Sequence, residues 1–146
     1  MIKVVQKEDY EDFMEMANEF YNSSAVSGSI SEETIISTFN NIVSNSPYIR
    51  GYLLYVDEKI AGFFTIAFSF QTQYGKKVLL FEDLYIRPDF QGQSLGTKVF
   101  MFLEDKYKAE VGAIRLEVSN ENVRAKELYE RLGYKKNSYY NMIKEF

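Results

Sequence analysis

The sequence predicts a mixed α/β fold, a mostly antiparallel central sheet flanked by helices in the order β-α-α-β-β-β-α-β-α-β. Three observations carry that prediction. Two amphipathic helical stripes come first; an aromatic and β-branched stretch broken by two turn-like tetrapeptides follows; the last part of the chain changes spacing as a β-α-β unit does. With 146 residues, 46% of them hydrophobic and 16% aromatic, and with only two prolines, the chain fits one globular domain over residues 1–146. It has no internal repeat, no Ser/Gly linker and no charge block that marks a boundary.

Residues 2–5 are strand-like, and Tyr10, Phe13, Met14, Ala17, Phe20 and Tyr21 then recur at the three-and-four spacing of one helix face. Ser29 and Glu32 suggest a capping box for a second helix, whose stripe is Ile35, Ile36, Phe39, Ile42 and Val43. From Tyr48 to Ile86, the breaks at "VDEK" (56–59) and "QYGK" (73–76) divide three antiparallel strands. Helical spacing returns over residues 93–107, and Ile114, Leu116 and Val118 alternate as a strand. A helix through Ala125, Leu128, Tyr129 and Leu132 can end at Gly133, and "SYYNMIKEF" (138–146) reads as a last strand.

Composition narrows the chemistry. Seventeen basic against twenty-one acidic residues give a net charge of -4, which provides no field for gathering phosphate backbones, so no nucleic-acid partner is expected. There is no cysteine and no histidine, which removes disulfides, thiolate nucleophiles, Ser-His pairs and the usual zinc sites, and no metal is expected. Asp, Glu, Lys, Tyr and backbone amides remain. The start "MIKVVQKEDY" has no apolar signal-peptide core and no run approaches a membrane span, so the expectation is a cytoplasmic protein with no membrane partner.

The stretch "FEDLYIRPDFQGQSLGTKVF" (81–100) concentrates what is left. Its strand feeds a crossover helix, and ligands of such sheets gather at the carboxyl ends of strands. Residues 91–96 bridge strand and helix, so their amides are the unpaired donors of a helix start and favour an anion such as phosphate. Gly92 and Gly96 leave the backbone approachable, and Ser94 can cap the helix or donate to the same ligand; an ordinary glycine-containing turn explains the spacing as well. Glu82 and Asp83 interrupt an apolar run. They read either as structural acids, one capping a loop and one paired with a residue such as Arg87, or as the source of a general base. Adjacent strand positions face opposite ways, so one cleft takes both only if a bulge intervenes. Tyr129, one turn beyond Ala125, reads alone as a core residue.

Together these residues resemble the GCN5-related N-acetyltransferase (GNAT) family. Leu84, Ile86, Pro88, Phe90, Gln91, Gly92, Leu95 and Gly96 follow its strand-loop-helix signature, and Asn122, Ala125, Leu128, Tyr129, Gly133 and Tyr134 follow its later helix motif. "FEDLYI" is similar to the polyamine and diamine acetyltransferase branch. The resemblance implies an N-acetyltransferase that uses acetyl-CoA as co-substrate and a small-molecule primary amine as acceptor, by direct attack in a ternary complex. It implies that Gln91, Gly92, Gln93, Ser94, Leu95 and Gly96 hold the pyrophosphate, that the backbone of Leu84, Tyr85 and Ile86 meets the pantetheine arm, and that Asn122 touches the same arm. It assigns Glu82 as base through water, the Leu84 amide as oxyanion donor and Tyr129 as general acid. Ser94 replaces the middle glycine of the family's pattern, and Gln91 stands where arginine is commoner.

Glu8, Asp9, Glu11, Asp12, Glu15 and Glu19 on the first helix suit a cationic amine and equally a solvated face. Phe63, Phe64, Phe68, Phe70 and Tyr74 read as core and as the surface of a homodimer. Two other classes remain: a non-catalytic acyl-CoA-binding or sensing module of the same fold, and a small mixed-sheet domain without a CoA site.

Overall fold

The computed structural model describes residues 1–23 and 28–146. Strand β1 (Ile2–Val4) leads through a single 3-10 turn into helix α1 (Tyr10–Tyr21), followed by α2 (Glu32–Val43). Strands β2 (Ile49–Val56), β3 (Lys59–Gln71) and β4 (Lys76–Ile86) form an antiparallel meander. Helix α3 (Leu95–Tyr107) crosses over to β5 (Val111–Leu116), which lies parallel to β4, and α4 (Val123–Arg131) follows. The sheet order is β1-β2-β3-β4-β5.

Strand alternation gives the sheet two apolar faces. On one, Tyr52, Phe64, Ile66 and Leu79 pack under Val99, Phe100 and Leu103 of α3; on the other, Leu53 and Phe63 meet Phe13, Met16 and Ala17 of α1 and Ile35 and Phe39 of α2. Each of these large side chains is completely or almost completely buried, worth about 1.5–3 kcal/mol apiece in transfer free energy. Phe63 and Phe64 are thus core, while Phe70 and Tyr74 at the β3–β4 hairpin are exposed.

Two local expectations need correction. Helix α2 is capped by Ser31, whose hydroxyl accepts from the Thr34 N–H at 3.2 Å, and not by Ser29; Ser31 immediately precedes the first helical residue, where its extended backbone aims the oxygen at the free amides. Residues 138–146 form no strand. Tyr139, Tyr140, Met142, Ile143 and Phe146 stand almost wholly in solvent. Their pattern suits a strand, but strand preference is largely packing against neighbours, and here no ladder partner supplies it.

Candidate active site

The β3–β4 ladder runs as far as Gly62 opposite Ile86, but the β4–β5 ladder ends at Phe81 opposite Leu116. Beyond Phe81, β4 therefore has a ladder partner on one side only. The opening coincides with a β-bulge: Thr65 pairs with Asp83 and Ile66 with Phe81, leaving Glu82 as the extra residue. The insertion reverses the strand's parity. Leu79 and Phe81 lie in the α3-side core, and after the bulge Leu84 and Ile86 pack there too, while Tyr85 joins the opposite core.

The bulge also decides which main-chain groups are available. The Arg87 N–H bonds the Ala61 carbonyl at 2.9 Å, so antiparallel alternation turns the groups of Tyr85 and Asp83 toward β3 and those of Leu84 and Ile86 toward the opening. Gln91 Nε2 donates to the Ile86 carbonyl at 3.1 Å, which ties the following loop to this edge. Of the three residues read as backbone contacts, Leu84 and Ile86 thus face the opening and Tyr85 does not.

The two acids have different surroundings. The Asp83 carboxylate accepts from the Tyr21 hydroxyl at 2.7 Å and from Thr65 Oγ1 at 2.6 Å. Arg87 pairs with Glu15 at 2.7 Å, not with either acid of β4. Glu82 stays accessible, yet crowding by the protein, then the Asp83 carboxylate, then that of Glu117 hold its proton above the usual carboxylate range. A carboxylate poised upward is a better base near neutral pH. Glu117, just past β5, and Tyr21, 62 residues before Asp83, carried no local sequence signal for this site.

The loop into α3 keeps its backbone open. Gly92 has φ +79°, and a Cβ there would meet nothing within 4 Å. Ser94, the residue before α3, is also left-handed at φ 56°, ψ 26°, and its hydroxyl makes no capping bond. The loop has kept the glycine-like conformation with a serine in it, so the first amides of α3 receive no side-chain cap. Gly96 has another task than clearing room for an anion: its Cβ would lie 3.2 Å from Leu128 Cδ2, so its bareness lets α4 pack against α3.

Asn122 precedes α4, and its Oδ1 accepts from the Ala125 N–H at 3.1 Å. The Tyr129 ring meets Phe100 edge-on at 5.3 Å and Tyr134 at 6.1 Å between centroids. Burial pushes its phenol up, so it is protonated at neutral pH and able to donate. Tyr129 thus belongs to the α3 side, whereas the field at Glu82 comes from Asp83 and Glu117 and reaches Tyr21 of α1. Among the described residues no hydrogen bond joins Glu82 to Tyr129; a ligand lying in the opening of β4 is what could meet both. A cavity of about 580 Å³ adjoins the end of β4, lined by Asp12 of α1, Asp57, Lys59 and Ile60 of the β2–β3 turn region, and Arg87 and Phe90; none of the predicted site residues lines it.

No curated protein matches the chain in sequence. Among solved structures it is similar to a possible acetyltransferase from Clostridium difficile 630, at 13% identity and TM-score 0.87, covering 100% of this chain and 97% of that one. It is similar to a ribosomal-protein-alanine N-acetyltransferase from Brucella melitensis biovar Abortus 2308, at 13% identity, coverage of 100% and 99%, and TM-score 0.78. It is also similar to glucosamine-6-phosphate N-acetyltransferase from Arabidopsis thaliana, at 25% identity, coverage of 100% and 97%, and TM-score 0.73. The model of the acetyltransferase (GNAT) family matches residues 10–134, a span that takes in β4, the loop into α3 and Tyr129. The chain therefore belongs to the GNAT family of acetyltransferases.

Proposed function

We propose that this N-acetyltransferase moves an acetyl group from acetyl-CoA directly onto the primary amine of a small, cationic, polyamine-like molecule, with both substrates bound together. The observation that carries the reading is the break in the β4–β5 ladder after Phe81, with the bulged Glu82 at its mouth. Acetyl-CoA supplies an activated acyl group with a sulfur leaving group. The N–H groups of Leu84 and Ile86, together with the Leu84 carbonyl, suit a pantetheine arm, and the amides over residues 92–96 suit its diphosphate, the Gln91 N–H being taken by the Pro88 carbonyl at 3.2 Å. Asn122 has its oxygen engaged in the cap, which leaves its amide nitrogen for the same arm.

Glu82, through water, takes the proton that an ammonium must lose before it can attack. The Leu84 N–H stands where negative charge grows on the thioester oxygen. Tyr129, kept protonated by burial, gives its proton to the departing sulfur and recovers the one that the new amide nitrogen sheds; one N–C bond forms as one C–S bond breaks. With neither Cys nor His in the chain, no acyl-enzyme is expected. The accessible Glu82 carboxylate supports a cationic acceptor, with Asp83 and Glu117 adding only their field, since they already accept from Tyr21, Thr65 and Asn141. Glu15 and Glu19 support it less, since they already bond Arg87 and Tyr85. We include a homodimer in the proposal, supported by the apolar side chains that residues 138–146 leave in solvent and testable by sedimentation velocity.

The rival, an acyl-CoA sensor without catalysis, is favoured by the strained Ser94. One experiment separates them: acetyl-CoA at a hundred times its Kd raises stability by about 2.7 kcal/mol in both, but only the enzyme releases CoA with an amine panel. Loss of turnover in Tyr129→Phe with acetyl-CoA binding intact supports the assigned acid; wild-type rates in that variant and in Glu82→Gln would remove both roles.

A further inference from the structure

Three polar contacts tie α1 to β4 and the residue that follows it, and they descend in register: Glu15 with Arg87, Glu19 with the Tyr85 hydroxyl, and Tyr21 with Asp83. All three partners, Asp83 and Tyr85 in β4 and Arg87 just past its end, are odd-numbered residues beyond the bulge. Below it the odd residues Leu79 and Phe81 are buried on the other face, beneath α3. A ladder of this kind is consistent only with a bulge at Glu82, because sliding it by one residue would turn every partner away from α1.

The lowest rung is the most enclosed. Tyr21 and Thr65 are buried, Asp83 is half-buried, and its Oδ2 receives both hydroxyls, from α1 and from the neighbouring strand. An anion gripped by two buried donors fixes the main chain on both sides of it. Glu82 is its immediate neighbour.

We propose that Tyr21 is a positioning residue for the reaction: with Thr65 it anchors the Asp83 carboxylate between α1 and β3, and so holds the bulge that presents Glu82 at the opening of the sheet. The inference rests on the assignment of Glu82 as base. It makes the end of α1 part of the acceptor side of the site, and it gives Asp83, the second acid of "FED", a mechanical duty in place of a chemical one.

The test uses the full chain as wild type, Tyr21→Phe, Thr65→Val, Thr65→Ser, Glu82→Gln and the double variant Tyr21→Phe/Glu82→Gln. CoA release is followed with neamine, glucosamine 6-phosphate, spermidine and an alanine-initiated peptide as acceptors, and thermal stabilisation by acetyl-CoA is measured in parallel. Tyr21→Phe and Thr65→Val should lower kcat about tenfold while the KM for acetyl-CoA and its stabilising effect stay at wild-type values. Thr65→Ser, which keeps the hydroxyl, should restore the rate, and it keeps the proposal testable should Tyr21→Phe fail to fold. In the Glu82→Gln background, Tyr21→Phe should add nothing, because a positioning residue has no effect once the group it positions is gone. Losses that multiply in the double variant, or a Thr65→Ser as slow as Thr65→Val, would overturn the inference. A Glu82→Gln enzyme with wild-type rates, or a wild type that uses none of the four acceptors, would instead strike the reading of the site beneath it, and the inference would fall with it.

Discussion

Replacing Ser94 by glycine should stabilise the protein. At φ 56°, ψ 26° the serine occupies the left-handed region, which costs a residue with a Cβ about 1–2 kcal/mol. Its hydroxyl makes no capping bond, so no hydrogen bond is lost on replacement. Against the relief stands the greater freedom of glycine in the unfolded chain, about 0.4–1 kcal/mol. The balance is a gain of about 0.5–1 kcal/mol, which for a chain of this length moves the thermal midpoint up by about 2–3 °C. Urea unfolding read by circular dichroism measures it, with Gly92→Ala as the mirror control, since that substitution brings a Cβ to φ +79° and should lower the midpoint. If Ser94→Gly instead lowered the urea midpoint, the serine would have to be a working cap with ordinary backbone angles, and the strained-cradle description would be wrong.

Other expectations follow from the same geometry. The carboxyl of Glu82 holds its proton to higher pH in the folded chain than in the unfolded one; its favourable contribution is therefore complete below the ordinary carboxylate range and lost as pH rises through the raised value. Thermal melts should thus show Glu82→Gln more stable than wild type at neutral pH, with the gap closing below about pH 4, and a gap that widens in acid would contradict the shift. Tyr52 and Tyr107 share a buried hydroxyl contact at 2.5 Å; Tyr52→Phe orphans its partner and should cost about 1–3 kcal/mol in urea unfolding. Truncation after Asn137 removes residues that pair with no strand, so the monomer's thermal midpoint should change by less than about 1 °C. A fall of several degrees would mean that the tail is docked.

Where apolar spacing was long and regular, as in α1, α2, β3 and α3, the sequence alone located the elements, because a buried stripe must repeat with the period of the backbone that carries it. The two turns at "VDEK" and "QYGK" were equally legible from their chemistry. The tail misled for the reason that strands need partners: alternation in "SYYNMIKEF" records what the segment could pair with, not what is beside it. Around the site, the loop of residues 91–96 was readable as a helix start, but the bulge was foreseeable only as a condition for Glu82 and Asp83 to share a face. Which acid is gripped and which is accessible depended on Tyr21 and Thr65, separated from Asp83 by 62 and 18 positions. Gly96 shows the same limit. Its absence of a side chain was visible, yet its neighbour Leu128 lies on another helix.

That contact between Gly96 and Leu128 sets a ruler. One end of it is the start of α3 and the other is one residue from Tyr129, so under the proposed roles the distance between donor grip and proton source is set by close packing of two helices. On the proposed reading, acyl donors whose arm differs in span from pantetheine would not reach both ends at once, and the two helices would gauge the donor by its reach.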